Sequence, residues 1–91
     1  MTLEYKLRDG RTLRVCYDLK DCRYRVFAVR AVPVVRGRVS RIEYQKRAVA
    51  LHGVTNGFEN AADAIRALIA HVERRWLKSD SPYYRAKKEW V

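Results

Sequence analysis

From Thr2 to Arg8 polar and apolar residues alternate, with Leu3, Tyr5 and Leu7 on one side and Glu4, Lys6 and Arg8 on the other. That period of two predicts a half-buried strand. After "DG" the alternation resumes, with Leu13, Val15 and Tyr17 apolar. A two-residue Asp-Gly turn would put the two apolar sets on opposite faces. A three-residue loop, Asp9 to Arg11, instead pairs Leu7 with Leu13, Tyr5 with Val15 and Leu3 with Tyr17. The stretch "DLKD" at 18 to 21 reads as a four-residue loop, setting Tyr17 opposite Cys22, Val15 opposite Tyr24 and Leu13 opposite Val26. Three strands then share one apolar face.

Strand three is expected to run to Val34 and strand four to begin at Val39, around the loop "VRGR". This register places Pro33 opposite Ser40, at a pair where a missing N–H costs least, and Arg30 against Glu43. The apolar parity switches between Val26 and Phe27, since Tyr24 and Val26 face one way and Phe27, Val29 and Ala31 the other. A bulge or strong twist is expected there. Strand four turns charged at "QKR", 45 to 47, and apolar again at Ala48 to Leu51, so a break into two pieces is expected.

One clear helix follows, over "NAADAIRALIAHVERRWLK", Asn60 to Lys78. Asn60 is the N-cap with Asp63 three positions on, and Ala61, Ile65, Leu68, Ile69, Val72 and Trp76 form one stripe to cover the sheet. The expected fold is α+β: an antiparallel meander of four to five strands with the amphipathic helix packed on one face. Residues 1–78 make this sheet-and-helix domain. Residues 79–91 form a basic-aromatic segment, either a short helix begun by Ser81-Pro82 or a tail.

At 91 residues the chain supports one core. Twenty Lys and Arg against ten Asp and Glu give +10, an imbalance that attracts polyanions. DNA or RNA is therefore the expected partner. No apolar run reaches the length of a membrane span, and "MTLEYKLRDG" lacks the features of a signal peptide, so a cytoplasmic location without membrane association is expected. Cys16 and Cys22 are expected as free thiols. With His52 and His71 their spacing matches no zinc pattern, and no metal or cofactor is expected.

The stretch from Arg23 to Arg41 carries six arginines and no acid. The registers above place Lys6, Arg8, Arg14, Arg23 and Arg25 on the face opposite the helix, with Lys6 across from Arg14 and Arg14 across from Arg25. Like charges directly across a sheet destabilise it, and a bound polyanion removes that cost. This face lacks aromatics for stacking bases, so backbone contacts of low specificity are expected. The hairpin tip adds Arg36, Arg38 and Arg41 beside Gly37 and Pro33, a composition that suits either an arm entering a minor groove or an ordinary solvated turn. At the C-terminus Tyr83, Tyr84, Arg85, Lys87, Lys88 and Trp90 interleave aromatic and basic groups, suited to stacking on bases, to closing the core or to meeting a partner protein.

No nucleophile elbow, phosphate-cradling glycine loop or paired-carboxylate motif is present, and no catalytic residue is assigned. A ribonuclease-like activity would have to rest on His52 and His71. The competing functional class is a protein-interaction module or inhibitor, for instance a phage or mobile-element product docking on an acidic or nucleic-acid-binding surface. A homodimer through an exposed strand edge is a third reading.

Overall fold

The computed structural model describes residues 2–51 and 56–91. A five-stranded antiparallel sheet in the order β4-β3-β2-β1-β5 carries one helix. The strands are β1 (Leu3–Lys6), β2 (Thr12–Asp18), β3 (Arg23–Arg36), β4 (Val39–Ala48) and β5 (Lys87–Trp90), and the helix is α1 (Ala61–Arg74). Among the described residues no helix is long and apolar enough to cross a membrane.

Each alternating segment becomes a strand, but every hairpin register differs from expectation by two residues. Tyr5 pairs with Leu13 and Glu4 with Arg14. Val15 pairs with Val26 and Tyr17 with Tyr24. Pro33 pairs with Ile42 and Arg30 with Gln45, so neither the Pro33–Ser40 nor the Arg30–Glu43 pair forms. The first two loops keep their expected lengths and each slides by one residue: Leu7 and Arg11 close the first, and Asp18 and Arg23 the second. The third tightens to two residues, Gly37 and Arg38, between paired Arg36 and Val39. Gly37 has φ of +61° at the first central position, as a type II′ turn requires.

A slip of two leaves every side chain on its expected face. The sheet side of the core is the expected one, Leu3, Tyr5, Leu13, Val15 and Val26, but on the helix Ala64 packs there with Leu68 and Val72, while Ala61, Ile65 and Ile69 of the expected stripe are half-buried. Fully burying each large aliphatic side chain contributes about 1.5–3 kcal/mol. Asn60 caps α1 as expected, its Oδ1 accepting from the Asp63 N–H at 2.9 Å. The helix ends at Arg74, four residues short of Lys78, because the chain turns at Arg75 and Trp76 through short-range bonds to Val72 and Glu73. Trp76 therefore leaves the stripe, and His71 joins it, 6% exposed.

Two further corrections concern β3 and the C-terminus. Both registers of β3 run without interruption, so there is no bulge at Val26 and Phe27. A regular strand simply carries apolar residues on both faces there: Val26 lies under the helix and Phe27 is buried on the other side, with the Lys46 ammonium 4.0 Å from its ring centroid. Likewise β4 is unbroken through "QKR". The segment expected as a short helix or tail makes one turn at Pro82–Arg85 and then becomes β5, pairing Leu3 with Trp90 and Lys6 with Lys87. Tyr83 anchors this segment, its ring edge-on to His71 at 5.3 Å.

Gly57 sets the far end of β3. Phe58 bridges Tyr24, and a Cβ on Gly57, whose φ is +75°, would stand 2.9 Å from the Tyr24 carbonyl oxygen. Glycine admits both the positive φ and the close approach.

Candidate nucleic-acid interface

Strand lengths create the main feature of the surface. Pairing between β2 and β3 ends at Thr12 and Val29, while pairing between β3 and β4 continues to Arg36 and Val39. From Arg30 to Gln45 the two strands therefore pair with each other and, among the described residues, with no other strand. This arm stretches the molecule to 45 × 37 × 24 Å, with a radius of gyration of 14.5 Å, against about 12 Å for a compact chain of this length. Nine of the ten β4 residues are exposed, Glu43 being half-buried. Pro33 sits where β3 has one bare edge, so its missing N–H breaks no ladder on that side.

The arm's charge is one-sided in two senses. Residues 30–47 hold Arg30, Arg36, Arg38, Arg41, Lys46 and Arg47 against the single carboxylate of Glu43. Glu43 is bound to Arg41 at 2.6 Å, and Arg30 reaches Asp9 of the β1–β2 loop at 3.9 Å. Arg36, Arg38 and Arg47 have no carboxylate within ion-pair distance among the described residues. The register also sorts the faces: Arg30, Arg36, Arg41 and Arg47 share one side of the ribbon, as diagonal pairs Arg36/Arg41 near the tip and Arg30/Arg47 near the root. Six residues separate the pairs along each strand, roughly 20 Å.

Two hollows lie on this side. Near the tip, Val34, Arg36, Val39 and Arg41 line a shallow groove of about 240 Å³. At the root, Arg11, Arg30, Lys46 and Arg47 with Gln45 and Ala28 line a cleft of about 540 Å³. Burial alone would raise the pKa of Asp9 beside this cleft, but the Arg11 backbone N–H and guanidinium, with Arg30 beyond, hold it below the usual carboxylate range. The cleft therefore keeps one fixed negative charge among its cations.

The expected platform on the open sheet face is assembled differently. Lys6 faces Thr12, Arg14 faces Glu4 and Phe27, and Arg25 faces Cys16, so the row of like charges does not exist. Each cation has an acid instead. Arg14 reaches Glu4 at 3.2 Å, Lys6 reaches Glu89 at 3.5 Å, and Arg25 bonds Asp21 and lies 3.6 Å from Asp18. The Arg25 hydrogen bond lowers the Asp21 pKa, and those of Lys87 and Lys6 lower that of Glu89. Arg23 pairs across from Asp18 at the edge of this group. Arg8 lies outside β1, its guanidinium donating to the Ser79 carbonyl at 2.7 Å.

At the C-terminus the aromatic-basic residues divide. Tyr83 is held between the guanidiniums of Arg11 and Arg75, 5.9 and 5.7 Å from its ring centroid, and its hydroxyl is 3.3 Å from His71 Nε2. Tyr84 stacks obliquely on Trp76 with Arg85 above it. Trp90 stays 53% exposed on β5 beneath Lys88, while Lys87 lies on the open face with Glu89. Cys16 and Cys22 are free thiols, and His52 lies outside the described residues. Among the described residues no group of three His, Cys, Asp or Glu side chains could hold a metal.

The sequence points to Arg36, Arg38 and Arg41 as interface residues and passes over Arg30, Lys46 and Arg47. The signal was present in the strand lengths: turns confine β2 to seven residues, whereas β3 runs for fourteen, so half of β3 must overhang. Compared with protein-family models, curated proteins and solved structures, the chain matches none, and its functional reading rests on this geometry.

Proposed function

We propose that the protein binds nucleic acid through the β3–β4 arm, contacting backbone phosphates with Arg30, Arg36, Arg38, Arg41 and Arg47. One observation supports this most: six cations and one carboxylate stand on a ribbon outside the core, where Arg36, Arg38 and Arg47 find no carboxylate among the described residues to relieve their repulsion. Phosphates supply that relief, and arginine matches their geometry with a planar fork of donors. The open sheet face, with its cations already engaged by Glu4, Asp18, Asp21 and Glu89, contributes only long-range attraction. No catalytic step enters this reading.

The test is fluorescence anisotropy with single-stranded and duplex DNA and RNA at two salt concentrations. Binding that weakens steeply with salt and is lost in an Arg36→Glu, Arg38→Glu variant supports the proposal. Failure of the wild type to bind any of the four at low salt sinks it.

A second reading, docking on an acidic protein surface, draws on the exposed Trp90 beside Lys88 at the β5 edge. Trp and Arg are the residue types that dominate interface energetics. In that case Trp90→Ala abolishes a complex that the arm variant leaves intact.

A further inference from the structure

Phosphate contacts leave the other side of the arm unexplained. The register puts Val29, Ala31, Pro33 and Val35 of β3 on one side of the ribbon together with Ile42 and Tyr44 of β4. Val35, Ile42 and Tyr44 are 70%, 63% and 73% exposed. A contiguous apolar stripe on a ribbon, with no helix or third strand over it among the described residues, marks a contact surface. The same ribbon carries Arg36, Arg38 and Arg41 at its tip with Glu43 as the one carboxylate of residues 30–47, and that charge selects a polyanion as the occupant.

We propose that this apolar side is laid against the minor groove of duplex DNA, with Val35, next to the Gly37 turn, acting as a wedge that opens a base step. The inference rests on the nucleic-acid reading above and specifies its mode. The groove floor and sugar walls are the least polar surfaces a duplex offers. Proteins that bind there pair apolar wedges with arginines that hold the adjacent phosphates. A reader of the major groove needs donors and acceptors on its inserted face. On this side of the ribbon Val, Ala, Pro and Ile alternate with little besides the hydroxyls of Ser40 and Tyr44 and the ammonium of Lys46.

The dimensions agree. The ribbon is one sheet layer thick and closes in a two-residue turn, so its tip enters a groove once a kink widens it. The spacing of roughly 20 Å between the root and tip arginine pairs corresponds to about six base pairs of B-form DNA. Arg38 lies in the turn itself, with Arg36 and Arg41 beside it, so the tip that enters the groove brings cations close to the flanking phosphates.

The experiment uses the full chain with a duplex of about 20 base pairs carrying a donor and an acceptor dye at its ends. Binding is read by anisotropy and bending by energy transfer at saturation. The expected results are threefold. The dye distance shortens when wild type binds. A distamycin-type ligand already filling the minor groove weakens binding at least about tenfold. A Val35→Ser, Ile42→Ser variant, altered at two exposed positions, no longer shortens the distance at saturation and binds duplex DNA more weakly than wild type. The proposal is overturned, with the nucleic-acid reading intact, if the duplex stays straight, if the groove ligand does not compete, if the variant bends DNA as wild type does, or if duplex RNA or single strands bind as tightly. Absence of binding to every nucleic acid overturns both and leaves an acidic protein as the occupant.

Discussion

Two basic regions lie on the same sheet and meet opposite fates. On the open face of the body, Lys6, Arg14, Arg23, Arg25 and Lys87 stand among Glu4, Asp18, Asp21 and Glu89, so nearly every cation has an acid beside it. On the arm, Arg41 holds Glu43 and Arg30 reaches back to Asp9, while Arg36, Arg38, Lys46 and Arg47 have no carboxylate within ion-pair distance among the described residues. Both are antiparallel strands rich in arginine. What differs is where the carboxylates fall: between Asp21 and Glu59 the chain has Glu43 and no other. The position of the acids, more than that of the arginines, decides which surface offers its charge to a partner.

Reversing charge on each region separates them most strongly. Arg36→Glu with Arg38→Glu should weaken nucleic-acid binding by about 100-fold or more at low salt while leaving the melting temperature unchanged, because both residues are exposed at the tip. Equal binding by this variant and wild type breaks the comparison.

The body should also be the part that senses acid. His71 is buried against Tyr83, and burial first, then Arg75, Arg74 and Arg11, push its pKa down from 6.5 to about 4. The unfolded chain takes up this proton near pH 6.5 and the folded chain only near 4. The stability His71 allows at neutral pH is therefore lost as pH falls from about 6.5 towards 4, by at most about 3 kcal/mol. Denaturant titrations at several pH values should show that slope, and His71→Gln should flatten it. Residues 30–47 contain no histidine, so binding by protein that remains folded should be unchanged between about pH 7 and 5.5.

A smaller effect is expected from Arg14→Glu, which would set a third carboxylate beside Glu4 and Glu89. The cost should be about 1 kcal/mol in stability, measured by urea denaturation, with binding altered only a few-fold. Smallest is Glu43→Gln, which releases Arg41 from its 2.6 Å partner and should tighten binding about two- to fivefold. Weaker binding by this variant would mean that Glu43 holds Arg41 in its working position.

How much of this was legible in the sequence follows from the period of a strand. The helix period of 3.6 picked out Leu68 and Val72, and the strand period of two tells which residues share a face, so the core of Leu3, Leu13, Val15 and Val26 was readable. It does not tell which residue lies across, because a slip of two preserves the pattern. The expected Lys6–Arg14 pair and the observed Glu4–Arg14 pair belong to registers with identical faces, yet one is a repulsion and the other an ion pair. The four residues of β5 were illegible for a different reason, since "KKEW" becomes a strand only by pairing with β1 at the opposite end of the chain. His71 was hidden by its polarity: a helix stripe read from apolar residues passes over a histidine whose partner, Tyr83, comes twelve residues later.

The central claim is that available charge resides on the arm, and the dependence of duplex-DNA affinity on salt tests it most directly. Plotted as log affinity against log salt, wild type should give a slope of about −4, corresponding to four or five phosphate contacts. Arg36→Ala with Arg38→Ala should reduce its magnitude by about 2, and Arg14→Ala with Arg25→Ala should leave it unchanged. The reverse pattern, a slope indifferent to the arm and cut by the sheet-face variant, would contradict the account.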